Sequence, residues 1–132
     1  NYQKYRKCIG SIIGDSLIKG FQEFNIANKM IDLVDKKFKK YHFVKEYADM
    51  MNISTRSLTY NIQKYLNTTP LKVINKKIVL ESKKLLLTTN MSVKNIAIQL
   101  GFEDVSYFTK IFKQQVGITP SEYRTTQLST DA

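Results

Sequence analysis

Two short stretches of the chain carry polar side chains at steps of three and four residues, a spacing that places them on one face of an α-helix. In chain order these side chains are Arg56, Thr59, Tyr60, Gln63, Ser106, Tyr107 and Lys110. Together they offer guanidinium, ammonium, amide and hydroxyl groups, and no carboxylate pair or histidine stands among them. Such faces indicate hydrogen bonding to a partner outside the fold rather than acid–base catalysis.

The charge of the chain indicates what kind of partner this is. The 132 residues include 21 Lys plus Arg and 11 Asp plus Glu, which gives a formal net charge of +10. This surplus favours a polyanion, nucleic acid before membrane. Only Arg6, Arg56 and Arg124 are arginines, and an arginine can present two parallel donors to a guanine edge or a phosphate. Each of the three arginines is therefore conspicuous as a candidate for such a contact.

Cysteine and histidine usage disfavours several other classes of protein. Cys8 and His42 are single, so neither an internal disulfide nor a metal site is expected, and a reducing cytoplasm is the simpler setting. No cofactor is expected. An enzyme is disfavoured because no histidine, carboxylate pair or metal-ligand cluster accompanies Cys8. No apolar run approaches the ~18 residues of a membrane span.

Caps and apolar spacing predict the helices that hold the second polar face. Ser92 suits an N-cap and Gly101 suits the end of a helix, after which a second helix follows. The apolar residues of both helices recur at helical spacing, and they are Val93, Ile96, Ala97, Leu100, Phe108, Ile111, Phe112 and Val116. Two short amphipathic helices joined by a glycine turn, over about residues 92–116, are the outline of a helix-turn-helix.

The same pattern occurs about fifty residues earlier. Ala48 and Asn52 stand 49 residues before Ala97 and Gly101, and the offset becomes 50 after the turn. This repeat predicts a first helix-turn-helix over about residues 43–66, in which Asn52 and Asn67 take the left-handed conformation. Pro70 begins a connecting helix that reaches about residue 87. The buried side of that helix is predicted from Leu71, Ile74, Ile78 and Leu85.

The segment GFEDVSYFTKIFKQQVGITPSEYR, residues 101–124, resembles the second helix-turn-helix of AraC-type bacterial transcription regulators. Weaker similarity reaches back to about Ile26. The resemblance implies an all-α fold in which two helix-turn-helix subdomains are joined by a long connecting helix and preceded by N-terminal helices. It implies a DNA-binding domain over residues 26–132. Apart from the resemblance, Asn25 or Asn28 suits the N-cap of a second helix that runs to about Tyr41. Residues 1–25 are either a helical linker or remnant of a regulatory or dimerisation domain, or a helix folded against the rest of the chain.

The resemblance also implies a function. A bacterial transcription regulator of this type binds double-stranded promoter DNA sequence-specifically by inserting two recognition helices into adjacent major grooves, in the cytoplasm at the nucleoid. RNA polymerase is a further partner, and a homodimer through residues 1–25 or a missing N-terminal domain is expected as the oligomer. The alternative is a helical protein-interaction module that uses the helix-turn-helix fold to dock a protein partner.

The resemblance places the base contacts on the two polar faces, at Arg56, Thr59, Tyr60, Ser106, Tyr107 and Lys110, and Gln63 lies on the first of these faces. Phosphate contacts are expected at helix N-termini, where free N–H groups and the helix dipole favour an anion, and at nearby cations. Arg124 is expected to face outward. The phosphate candidates are Ser54, Thr55, Ser92, Lys94, Lys113, Thr119, Ser121 and Arg124.

Overall fold

Seven helices and no strand are found in residues 15–131, the range that the computed structural model describes, with side chains described for residues 17–128. The helices are α1 (Asp15–Lys37), α2 (Val44–Met50), α3 (Thr55–Leu66), α4 (Pro70–Thr88), α5 (Val93–Gln99), α6 (Val105–Val116) and α7 (Pro120–Asp131). The all-α class predicted from the sequence is confirmed. The expectations for Cys8 and for the first fourteen residues of segment 1–25 lie outside the described residues.

Helix α1 is continuous where two helices were expected. Its backbone is helical from Asp15 to Lys37, so the prediction that Asn25 or Asn28 begins a new helix was wrong. An asparagine inside a helix costs at most about 0.7 kcal/mol, which packing readily offsets. At the interior Gly20, the carbonyl accepts a hydrogen bond of 3.0 Å from the Tyr65 hydroxyl of α3. Tertiary contact with the first unit therefore supports α1 across the expected boundary.

The two helix-turn-helix units, α2–α3 and α5–α6, are closed by the same backbone geometry. The N–H of Ile53 donates to the carbonyl of Ala48 at 3.1 Å, and the N–H of Phe102 donates to that of Ala97 at 2.9 Å. Between each pair lies a residue with positive φ, 58° at Asn52 and 92° at Gly101. Asn67 has a φ of 53° at the end of α3. The left-handed conformations predicted for the two asparagines are thus confirmed.

Helix α4 packs between the two units, and its buried face is rotated from the predicted one. Leu71 is 44% exposed, so the prediction that it is buried was wrong, whereas Ile74 and Ile78 are fully buried as predicted. Leu85 is half-buried and packs against the core. Most buried positions recur every four residues, at Pro70, Ile74, Ile78, Ser82 and Leu86, and Val79 beside them is also buried. A proline and a serine occupy places on this face, and the Ser82 hydroxyl satisfies itself by donating to the Val79 carbonyl at 2.8 Å.

Candidate nucleic-acid interface

Helix α3 presents the first polar face. The Ser54 hydroxyl caps the helix by accepting a hydrogen bond of 3.0 Å from the N–H of Ser57. Leu58 and Ile62 are fully buried and fix the inner face of the helix. All four side chains predicted for base contact are exposed: Arg56, Thr59, Tyr60 and Gln63. The capped and anchored helix therefore holds a polar stripe of one helix width toward solvent.

The side chains of this face differ in how much of their bonding capacity is already used. The Thr59 hydroxyl donates to the Thr55 carbonyl at 2.8 Å, and the Gln63 amide donates to the Asn67 side-chain oxygen at 3.1 Å. The Tyr60 ring is 56% exposed and has the Lys64 ammonium 5.7 Å from its centroid. Among the described residues, the Arg56 guanidinium has no hydrogen-bond or ion-pair partner. Its five donors are consequently available to a ligand.

Helix α6 presents the second polar face. The Asp104 carboxylate caps it by accepting a hydrogen bond of 2.9 Å from the N–H of Ser106. Phe108, Ile111 and Phe112 are buried on the inner face of the helix. Ser106, Tyr107 and Lys110 are exposed. Tyr107, at 37% exposure, packs edge-on against the Phe102 ring with centroids 5.9 Å apart. The phenol of Tyr107 is therefore in contact with the protein while a part of it remains open to solvent.

Two of the phosphate candidates at helix N-termini cap the helix that they begin. The Ser92 hydroxyl accepts from the N–H of Asn95 at 3.1 Å, and the Thr119 hydroxyl accepts from the N–H of Glu122 at 3.2 Å. Thr55, Ser121 and the cations Lys94 and Lys113 are exposed. The hydroxyls of Ser92 and Thr119 fix the first turns of α5 and α7, so a phosphate at either N-terminus would meet the remaining backbone N–H groups.

The N-terminus of α7 already carries a negative charge. The Glu122 carboxylate accepts a hydrogen bond of 3.1 Å from the N–H of Thr119 and completes a reciprocal cap. The hydrogen bonds from the Thr119 backbone and then from its hydroxyl hold the pKa of Glu122 below its usual value. An ionised carboxylate at this position repels an anion. The first turns of α3 and α5, by contrast, hold no acidic residue.

Arg124 does not face outward as predicted. Its Nε donates to the Leu86 carbonyl at 2.9 Å, and a terminal guanidinium nitrogen donates to the Thr89 carbonyl at 3.3 Å. These carbonyls belong to the C-terminal end of α4, where backbone acceptors lack helical partners and the dipole is negative. The missing signal was in α4 itself, which has no basic residue in its last turn. Arg124 supplies that cation from α7.

Within residues 15–131, no group of His, Cys, Asp and Glu is arranged to hold a metal ion. None of the described helices is both long and apolar enough to cross a bilayer.

Comparison with known proteins identifies the family. A family model described as a helix-turn-helix domain matches residues 47–126, about three fifths of the chain. The raffinose operon transcriptional regulatory protein RafR of Pediococcus pentosaceus is 32% identical over 108 residues, 81% of this chain and 38% of that protein. The chain belongs to the AraC-type helix-turn-helix family.

Solved structures of AraC-type domains share this fold. The C-terminal domain of AraT, a response regulator from Geobacillus stearothermophilus, is 25% identical with a TM-score of 0.71, over 76% of this chain and 84% of that one. The DNA-binding domain of AdpA, solved in complex with a target DNA, is 21% identical with a TM-score of 0.70, over 79% and 94% of the two chains. The latter similarity concerns the fold alone.

The AraC-type match includes both units, because residues 47–126 run from within α2 into α7. The chain spans about a third to two fifths of the length of the curated relatives RafR, YisR and RhaS. It corresponds to the helix-turn-helix portion of regulators of this family.

Proposed function

We propose that the chain binds double-stranded DNA sequence-specifically for a bacterial transcription regulator, with α3 and α6 inserted into successive major-groove segments. The observation that carries the proposal is the repetition of one construction. Each unit buries the inner face of a capped second helix and leaves a stripe of polar side chains exposed on its outer face. A helix can read base edges only when its outer face is polar and its inner face is anchored.

Arg56 and Lys110 are the strongest candidates for reading guanine. The guanidinium of Arg56 is free of intramolecular partners among the described residues and can bond to guanine O6 and N7 together. Lys110 is exposed on the corresponding face of α6. Thr59 has its hydroxyl hydrogen committed to the Thr55 carbonyl, which leaves its methyl group for a thymine methyl. Ser106, Tyr107, Tyr60 and Gln63 complete the two reading surfaces.

The phosphate contacts position the domain without specifying sequence. Ser54, Thr55 and Ser92 stand at the N-termini of α3 and α5, while Lys94 and Lys113 are exposed cations. Thr119 and Ser121 are weaker candidates beside the Glu122 carboxylate. The net charge of +10 supports the electrostatic share of binding. The fold shared with AdpA, whose domain was solved on its target DNA, also supports this function.

The length of α4 fits two contacts on one side of a duplex. Its 19 residues rise roughly 28 Å at about 1.5 Å each, and successive major-groove segments are about 34 Å apart. A rigid helix between the units fixes their separation, so the two elements of the DNA site must keep one spacing and one face.

Insertions between the two elements test this arrangement. The probe is the duplex that the chain selects from a random pool. An insertion of about 5 base pairs turns one element to the far side, and one of about 10 base pairs restores the face while lengthening the span. We expect the 5-base-pair insertion to lower affinity to that of a duplex with one scrambled element. Unchanged affinity would mean that the units bind independently or that only one binds. Selection of no duplex would refute the function.

RNA polymerase contact and homodimerisation through residues 1–25 or an N-terminal domain are further parts of the proposal. Leu17 and Phe24 are exposed apolar side chains on the described portion of this segment, at 42% and 47%. Apolar side chains at helical spacing on α1 suit a helix–helix contact. Light scattering of the chain across a concentration series would measure a dimer formed through residues 1–25, and an unchanged monomer mass would exclude that route.

A further inference from the structure

His42 connects the first unit to the turn of the second. It lies between α1 and α2, 58 residues from its hydrogen-bond partner, and its Nε2 is 2.9 Å from the Leu100 carbonyl oxygen. A carbonyl oxygen only accepts, so this contact assigns the hydrogen to Nε2. The imidazole also stacks on the Phe102 ring, with centroids 4.1 Å apart and planes inclined by 15°. The side chain thus holds the turn by a directed hydrogen bond and by a flat contact.

The turn that His42 holds is pressed against the same connection. Gly101 approaches the Lys39 carbonyl so closely that a β-carbon would overlap the oxygen. Phe102 is 4% exposed. Its ring centroid lies 5.5 Å from that of Phe108 on the buried face of α6 and 5.9 Å from that of Tyr107 on the polar face. A continuous series of contacts therefore runs from His42 through Phe102 to Tyr107.

We propose that His42 is a positioning residue for the second recognition helix, holding the α5–α6 turn on the first unit and Tyr107 in its reading orientation. This role rests on the proposed DNA binding, because Tyr107 is one of its predicted base contacts. The Leu100 carbonyl is at the C-cap of α5, where an acceptor needs a partner from outside the helix. An apolar residue at position 42 would pack on Phe102 but would donate no hydrogen bond to the Leu100 carbonyl. The imidazole does both.

Three substitutions separate the two contacts. His42→Phe keeps the stacked ring and loses the hydrogen bond, His42→Gln keeps a donor and loses the ring, and His42→Ala loses both. Phe43→Ala is the matched control, since it removes the neighbouring ring, which is 61% exposed. The duplex is again the one that the wild-type chain selects, together with versions in which the first or the second element is scrambled.

We expect His42→Ala to weaken binding to the intact duplex about tenfold, the scale of one lost base contact. His42→Phe and His42→Gln should lose less, and Phe43→Ala should bind like wild type. On the duplex with a scrambled second element, His42→Ala should equal wild type because only the second helix is displaced. Equal losses at both elements would reduce His42 to a stabilising residue and overturn the proposal.

Nuclear magnetic resonance of the free chain gives a readout without DNA. We expect the Phe102 and Tyr107 amide and ring resonances to shift in His42→Ala and less in His42→Phe, which also serves if the alanine variant does not fold. Unchanged resonances in both would overturn the proposal whatever the binding results. If the wild type selects no duplex, the DNA-binding function fails and so does this positioning role, while shifted resonances would leave the contact series itself supported.

Discussion

Gly101 lies so close to the carbonyl oxygen of Lys39 that any β-carbon at this position would overlap the oxygen. Gly117, at the end of α6, has nearly the same backbone angle, with φ of 94° against 92° at Gly101. A β-carbon at Gly117 would meet nothing within 4 Å. Both positions therefore favour glycine because of their positive φ, and only Gly101 also requires it because a β-carbon has no room there.

We expect Gly117→Ala to lower the free energy of unfolding by about 1 to 2 kcal/mol, the cost of a left-handed alanine. Gly101→Ala should lower it by about 2 to 5 kcal/mol, because the overlap with a backbone atom adds an overpacking cost. Urea unfolding followed by circular dichroism measures both. Equal losses at the two positions would contradict the close approach of the turn to Lys39.

Arg124 should matter for stability rather than for DNA affinity. Arg124→Gln removes the donors to the Leu86 and Thr89 carbonyls and is expected to lower the free energy of unfolding by about 1 to 2 kcal/mol. Lys94→Gln, which changes an exposed cation, should leave unfolding unchanged and reduce the salt slope of DNA binding by about 1. If Arg124→Gln reduces the salt slope of DNA binding without lowering the free energy of unfolding, Arg124 is a phosphate contact as first predicted.

The parts of the fold that follow from local chemistry were predictable. The caps Ser54 and Ser92 and the positive-φ residues Asn52 and Gly101 depend on residues a few positions apart, and the offset of 49 to 50 residues repeats that local pattern in the second unit. They place the polar faces on α3 and α6 correctly. Such features can be predicted from the sequence because backbone conformation and helix periodicity are determined over short stretches.

The remaining features depend on contacts between distant residues. Arg124 is satisfied by carbonyls 35 and 38 positions away, and His42 by one 58 positions away. The four-residue repeat of the buried face of α4 required knowing that Pro70 and Ser82 pack inward. Helical spacing alone cannot distinguish an outward arginine from one that folds back onto another helix, because both occupy the same position on the helical wheel.

Glu122 should give the chain a pH-dependent stability. Its pKa in the folded state is lowered below the ordinary value of 4.5 by the Thr119 hydrogen bonds, so its stabilisation is fully present above that value and is lost as the pH falls through the folded pKa. Glu122→Gln retains an oxygen acceptor but lacks the charge. Thermal melts across pH should therefore show a Tm deficit for Glu122→Gln near neutrality that closes in acid. Glu103→Gln, at an exposed carboxylate, is the control, and a deficit of constant size would contradict the assignment.

Arg56 should determine specificity while leaving the fold intact. Its side chain is exposed and has no described partner to lose, so Arg56→Ala is expected to leave unfolding nearly unchanged. Specific binding should weaken by about 1 to 3 kcal/mol, with one base position relaxed in sequences reselected from a random pool. Arg56→Lys keeps the charge without the planar fork, so it should preserve the salt slope and still relax that position. Equal losses by Arg56→Ala on selected and random duplexes would instead make Arg56 a phosphate contact, and the reading of guanine would then fall to Lys110.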